Sequence, residues 1–389
     1  MAKDSHAQIL NLVKDGVLSP EEADRILEDL DKAQSFKGEG ERKRRSVARA
    51  VAIGGKRAVA ISLGDVTELP LLEEEEEHVI PHEGKLLLVK NPFGDIHFRG
   101  TDSREITVRF RKEIRTNSDK AKEFLSRQLT LSKEIGKDKV SIEVLGLSDS
   151  SSEESGSLHG DLLVLGNREM TLSVEACNGN VEIEALRGDV SIKNSNGDVS
   201  LKDVNGEMRI NSTNGDADLA FTSGELRVRA DNGDVTIQKH DGSLEYSGTN
   251  GDLSIEESSG SFLITTRSGD LEIRKTSGDF EIESGGGDIE MTDLIVGKLS
   301  ISSHCGDVEI EAAFREKGEI DTRCVSGDIQ LKVPSETRAR IETKTRSGRI
   351  SCLLPLGEIE RKEGSLTGVM NSPDSLIRLR TTSGDVSLS

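Results

Sequence analysis

Thirteen glycines, from Gly179 to Gly287, recur every nine residues without an exception. The residue after each is usually Asp, and the positions two and four after it are apolar: Val199 and Leu201, Val235 and Ile237, Leu253 and Ile255, Leu271 and Ile273. An apolar–polar–apolar step marks a short strand with one face in and one out. Asn-Gly or Ser-Gly before many of the strands is a turn signal, because glycine takes positive φ without a Cβ clash. The pattern predicts nine-residue strand-and-turn units, repeated often enough to require a stacked array. The core is expected at Val199, Leu201, Leu219, Val235, Ile237, Leu253, Ile255, Leu271, Ile273 and Ile289.

A period of eighteen overlies the nine. Asn-Gly-Asp recurs at 196–198, 214–216, 232–234 and 250–252. Six residues after the intervening glycines stand Asn194, Ser212, Ala230, Gly248, Thr266 and Ser284, all small or short, as suits a tight corner. The alternate set is Asp203, Phe221, Lys239, Glu257 and Lys275. Two units therefore make one coil, and the expected fold is all-β: a β-solenoid with about 18 residues per coil. The 108 residues from Gly179 to Gly287 give six coils, a stack of roughly 30 Å at about 4.8 Å per strand. Beyond Gly287 the register stretches through Gly297, Gly306, Gly318 and Gly327.

Ahead of the repeat the pattern changes. Residues 6–33 read as two short helices. Ile9, Leu10 and Val13 lie before a stop at Gly16, and Ser19-Pro20-Glu21-Glu22 caps a second stripe of Ile26, Leu27 and Leu30. The division expected is a helical hairpin at 1–34, a charged linker at 35–80, a β-rich start with a short helix at 81–166, and the solenoid with irregular last coils at 167–389. The linker holds the basic Arg42-Lys43-Arg44-Arg45 and the acidic run Glu73 to Glu77. Asp119 to Gln128 carries a helical pattern, while Ile106, Val108 and Phe110, and then Val140, Ile142 and Val144, alternate as strands.

Composition narrows the function. Apolar residues are 33% of the chain, too few for one thick core and enough for a thin repeated one. Nine Phe, one Tyr and no Trp leave few platforms on which sugars or bases would stack. A net charge of −20 opposes nucleic acid, so no nucleic-acid partner is expected. The basic 42–57 segment is the one place for a weak membrane-surface contact. The polar start and the lack of a long apolar run point to the cytoplasm, with unconventional surface exposure as the alternative. Cys177, Cys305, Cys324 and Cys352 form no C-x-x-C pair and read as free thiols, although Cys305 and Cys324 lie about one coil apart.

Stacking sets identical corners side by side. Asn196, Asn214, Asn232 and Asn250 become an amide ladder. Gly197, Gly215, Gly233, Gly251, Gly269 and Gly287 become the turn points, and Asp198, Asp216, Asp234, Asp252, Asp270 and Asp288 line one edge. The carboxylates either accept turn N–H groups or hold cations. A calcium nonapeptide needs more glycine than one per unit, and a hard cation wants about six converging oxygens. The structural reading is preferred, and neither metal nor cofactor is expected. His159, His240 and His304 have no sequence partner at metal spacing and suit surface or turn positions. No nucleophile elbow, phosphate loop or zinc-protease helix motif is present, and unbroken nine-residue spacing leaves no inserted loops to build a catalytic cleft.

From Leu88 to Ser389 the chain resembles a bacterial β-strand-repeat family of unknown function, labelled adhesin-like and related to the toastrack domains of envelope-stress proteins. The resemblance is carried by Val89-Lys90-Asn91-Pro92-Phe93-Gly94-Asp95-Ile96, by the repeated Gly-Asp turns, and by Thr345-Arg346-Ser347-Gly348-Arg349-Ile350 and Thr381-Thr382-Ser383-Gly384-Asp385-Val386. Ile9 to Leu30 is similar to the SHOCT-like hairpin fused to such repeats in LiaX-like proteins. The resemblance implies a non-enzymatic role in envelope stress or surface interaction. Three functions follow for testing: a binding or scaffold protein whose hairpin docks a protein partner or a second copy, a structural polymer joined through open strand edges, and a polysaccharide-active β-helix enzyme.

Overall fold

The computed structural model describes residues 71–81, 85–116, 126–146 and 156–389, with the short pieces 51–52 and 58–59. The hairpin expected at 1–34 and nearly all of the basic 42–57 segment lie outside the described residues. Of the expected helix at 119–128, residues 126–128 are helical and 119–125 lie outside the described residues.

Strands run in two rows, and within the repeat every inter-strand pairing is parallel. In the first row Thr171–Asn178, Val190–Asn196 and Met208–Asn214 pair successively, with Leu172 opposite Val190 and Val190 opposite Met208. In the second, Val181–Leu186 meets Val199–Asn205, with Val181 opposite Val199. Partners stay eighteen residues apart through Leu271 and Ile289, then stretch, as in Phe280 opposite Leu299 and Leu299 opposite Ile320.

First-row strands turn three positions inward, as Val190, Ile192 and Asn194 show, the third being a glycine in Asp241–Asn250. Second-row strands break the alternation. Val199, Leu201 and Val204 are buried, an odd step that a flat strand cannot make. The step is made by Asp203 at φ 55°, and by Ala185, Phe221, Lys239, Glu257, Lys275 and Asp293 at φ between 49° and 56°. In sequence Asp203, Phe221, Lys239, Glu257 and Lys275 show only that they are not small, and Ala185 lacks even that mark. The ten expected core residues are all buried and join one apolar cluster with the inward side chains of both rows.

Both ends depart from sequence order. Leu86–Asn91 lies between Lys139–Leu145 and Thr171–Asn178. Ser375–Ser383 lies between the strand segment 319–326 and Ala339–Ser347, so a late strand enters the stack ahead of an earlier one. Antiparallel strands finish each end. Leu71–Pro81 pairs with Glu105–Thr116, which pairs with Gly156–Asn167. Ser365–Met370 closes on Ala339–Ser347 and carries Gly357–Lys362.

The linker boundary at residue 80 is therefore corrected: 71–81 are a strand of the β structure. The acidic run is zipped to a basic neighbour, with Glu73 on Arg111 at 3.1 Å, Glu76 on Lys112 at 2.8 Å and Glu77 on Arg109 at 3.2 Å. Like charges in sequence suggest a solvated tether, but the cations that match them lie 32 to 38 residues on.

Candidate functional site

The turn residues form two hydrogen-bonded columns. Each Asn side chain donates to the Asn side chain of the coil before: Asn196 to Asn178 at 3.1 Å, Asn214 to Asn196 at 2.9 Å, Asn232 to Asn214 at 3.1 Å and Asn250 to Asn232 at 3.0 Å. Beside it, the backbone N–H of each Asp donates to the Asp carboxylate below. Asp216 donates to Asp198 at 3.0 Å, Asp234 to Asp216 at 2.8 Å, Asp252 to Asp234 at 2.9 Å, Asp270 to Asp252 at 2.8 Å and Asp288 to Asp270 at 2.8 Å. The column continues through Asp307, Asp328 and Asp385 to Arg349. In the other direction it runs through Asn180 and Asp95 to Asp161. Between the columns stand the glycines. A Cβ on Gly251, at φ 122°, would sit 2.1 Å from the carbonyl oxygen of Gly233.

The column ends on charge partners. Arg349 takes the place of an Asp and sets its guanidinium 3.3 Å from Asp385. At the opposite end His159 Nε2 lies 2.9 Å from Asp161. The hydrogen bond to Asp161 outweighs burial and raises the His159 pKa. Burial alone would raise Asp161, but His159, the Asp95 N–H and Arg111 hold it below the usual carboxylate range.

Two histidine expectations are corrected here. Asp95, His159 and Asp161 place ligand atoms within 4.8 Å of one another, a cluster hidden from sequence by the 63 residues between Asp95 and His159. One oxygen of each carboxylate is engaged, since Asp161 accepts the Asp95 N–H at 3.0 Å and Asp95 accepts the Asn180 N–H at 2.7 Å. His240 is buried, not at the surface, and stands in an internal polar column. Its Nδ1 is 3.0 Å from the Thr222 hydroxyl, and its backbone N–H donates to Ser258 at 3.1 Å. Cys305 and Cys324 fall in adjacent strands but out of register, Cys324 facing Ser303 and Cys305 facing Ser326, and both are free thiols.

The stacked-coil geometry has a counterpart among known families: that described as Toastrack DUF4097 matches residues 94–274 and 224–389. The chain belongs to this family. A SHOCT-like domain matches residues 7–35, ahead of the toastrack region. No curated protein matches the chain. Among solved structures, a "putative adhesin" of Parabacteroides merdae is 13% identical, covering 81% of this chain and 96% of its own, at a TM-score of 0.31. One of Parabacteroides distasonis is 13% identical, covering 82% and 97%, at a TM-score of 0.29. A protein of Clostridium sporogenes named for cell adhesion is 9% identical, covering 81% and 98%, at a TM-score of 0.19.

On the toastrack surface, register turns outward side chains into columns. Arg227 contacts Glu207 at 3.0 Å and Glu245 at 3.1 Å, and also Glu225. Lys239 lies 4.8 Å from the Phe221 ring and 3.6 Å from Glu257, which lies 3.8 Å from Lys275. Near the end of the first row the balance changes. A groove of about 460 Å³ is lined by Arg323, Lys344, Arg346 and Arg380 and by no carboxylate. Among the described residues no helix is long and apolar enough to cross a membrane.

Proposed function

We propose that this toastrack protein is a non-enzymatic binding or scaffold protein of the bacterial envelope-stress response. The stacked columns are its contact surface, and the SHOCT-like hairpin docks a protein partner or a second copy. The observation that carries this reading is the unbroken register from Leu172 to Met291, which fixes outward side chains at strand spacing over a broad face and admits no inserted loop. Polymerisation through open edges is less favoured, because the end strands Leu71–Pro81 and Gly357–Lys362 carry charged side chains that discourage further pairing.

A cut before Leu71 keeps the strand Leu71–Pro81 with its partner Glu105–Thr116, whereas a cut at 80 would strip that strand from the sheet. The full chain, used as bait in an envelope-stressed bacterial lysate, is expected to retain a defined partner that a chain beginning at Leu71 does not. Release of reducing ends from a polysaccharide panel by the full chain would overturn the reading.

A further inference from the structure

We propose that the groove near the end of the first row is a binding site for a compact, multiply charged phosphate ligand. Arg323, Arg380 and Lys344 stand directly beside one another on three adjacent strands, Arg323 opposite Arg380 and Arg380 opposite Lys344. Like charges in register repel. The other such pair in the row, Arg209 opposite Arg227, is offset by glutamates, Arg209 resting on Glu207 and Arg227 on Glu207, Glu225 and Glu245. In the groove the compensation is thin. Asp321 lies 3.0 Å from Arg323 and 3.8 Å from Arg380, while Lys344 and Arg346 are exposed and, among the described residues, have no carboxylate within 4.0 Å. A chain of net charge −20 thus concentrates uncompensated cations at one spot.

Size and chemistry narrow the ligand. Three strands at about 4.8 Å spacing give a cationic track of roughly 10 Å. Going back along the same column, Ser302 and then Glu283 follow Arg323. A long polyanion would run onto that carboxylate, and a compact one would not. Guanidinium groups fork onto phosphate oxygens while an ammonium serves as a point charge, and the exposed Ser302 and Thr382 hydroxyls border the same groove. A free oligophosphate and a phospholipid headgroup share this chemistry.

The inference rests on the local geometry of the groove and is independent of which partner the hairpin docks. The test uses the full chain at constant ionic strength. Tripolyphosphate binding is measured by calorimetry for the wild type, for a Lys344→Ser/Arg346→Ser double variant, and for Lys193→Ser in the same column far from the groove. Circular dichroism and a melt without ligand check that each variant is folded. Saturable binding that weakens at least tenfold in the double variant and is unchanged in Lys193→Ser is the expected result. No binding, or equal binding by all three proteins, would overturn the site. Sedimentation with phosphatidylglycerol vesicles then separates the sources. Capture abolished by the double substitution and competed by tripolyphosphate identifies a lipid headgroup. Capture absent, or unaffected by the substitution, leaves free oligophosphate as the groove's ligand.

Discussion

Gly251 and Glu257, six residues apart, sit at opposite kinds of positive φ. Gly251 needs the absence of a Cβ, both for its φ of 122° and for the 2.1 Å approach to Gly233. Gly251→Val is expected to cost about 1–3 kcal/mol from backbone strain alone, read as a lowered melting temperature. Glu257, at φ 51°, is a non-glycine residue held in the left-handed region, so Glu257→Gly relieves strain while adding freedom to the unfolded chain. Its melt is expected within about 1 kcal/mol of wild type, and an equal loss in both variants would sink the distinction. Gly248 has another reason to be glycine, since a Cβ there would meet the Tyr246 hydroxyl at 2.3 Å. His240 supplies a pH signature. Burial pushes its imidazole below the ordinary 6.5. As pH drops, the unfolded chain takes up the proton first. The stability due to neutral His240 is therefore complete above that ordinary value and is lost as pH falls through the lower folded one. Melting temperature measured between about pH 8 and pH 5 should fall more steeply for wild type than for His240→Thr, the residue type of its register neighbour Thr222. Parallel profiles would refute this.

Among the elements, the parallel strands of the repeat were legible because glycine spacing and two-step alternation act at short range. The ends were not. Glu73 to Glu77 looks like a tether until Arg109, Arg111 and Lys112 are placed opposite it. Nothing local announces that Leu86–Asn91 will lie between two later strands. The candidate site divides in the same way. The Asn and Asp positions could be named from their period. The Asp95–His159–Asp161 contact and the cationic groove are made by out-of-order pairing, which no period reveals. The small-residue corner was legible, but the left-handed corner was missed, since Asp, Phe, Lys and Glu share no side-chain property that signals φ near 55°. Strand interiors offer the firmest prediction. Ile255 is fully buried with Ile237 and Ile273 in register on either side. Ile255→Ala should cost about 2–5 kcal/mol in denaturant unfolding. A change below about 0.5 kcal/mol would mean that the core closes around the gap without loss.

Taken whole, the stack is a one-dimensional array in which each coil touches only its neighbours, and the Asp column runs through it with His159 at one end and Arg349 at the other. Each carboxylate from Asp198 to Asp270 already accepts a backbone N–H from the next coil. Chelator is therefore expected to leave the melting temperature unchanged, and millimolar calcium to act no differently from magnesium at equal ionic strength. A large calcium-specific rise would mean that the column is a metal edge. The late strand Ser375–Ser383 has a consequence of another kind. During synthesis, residues 339–352 leave the ribosome before the layer they rest on has been made. Until residues 375–388 emerge and slide between, that segment has no native floor, and stacking early on 319–332 would lock the newcomer out. The emergence of residues 375–388, more than the local strength of any coil, sets the moment at which this end of the stack becomes native.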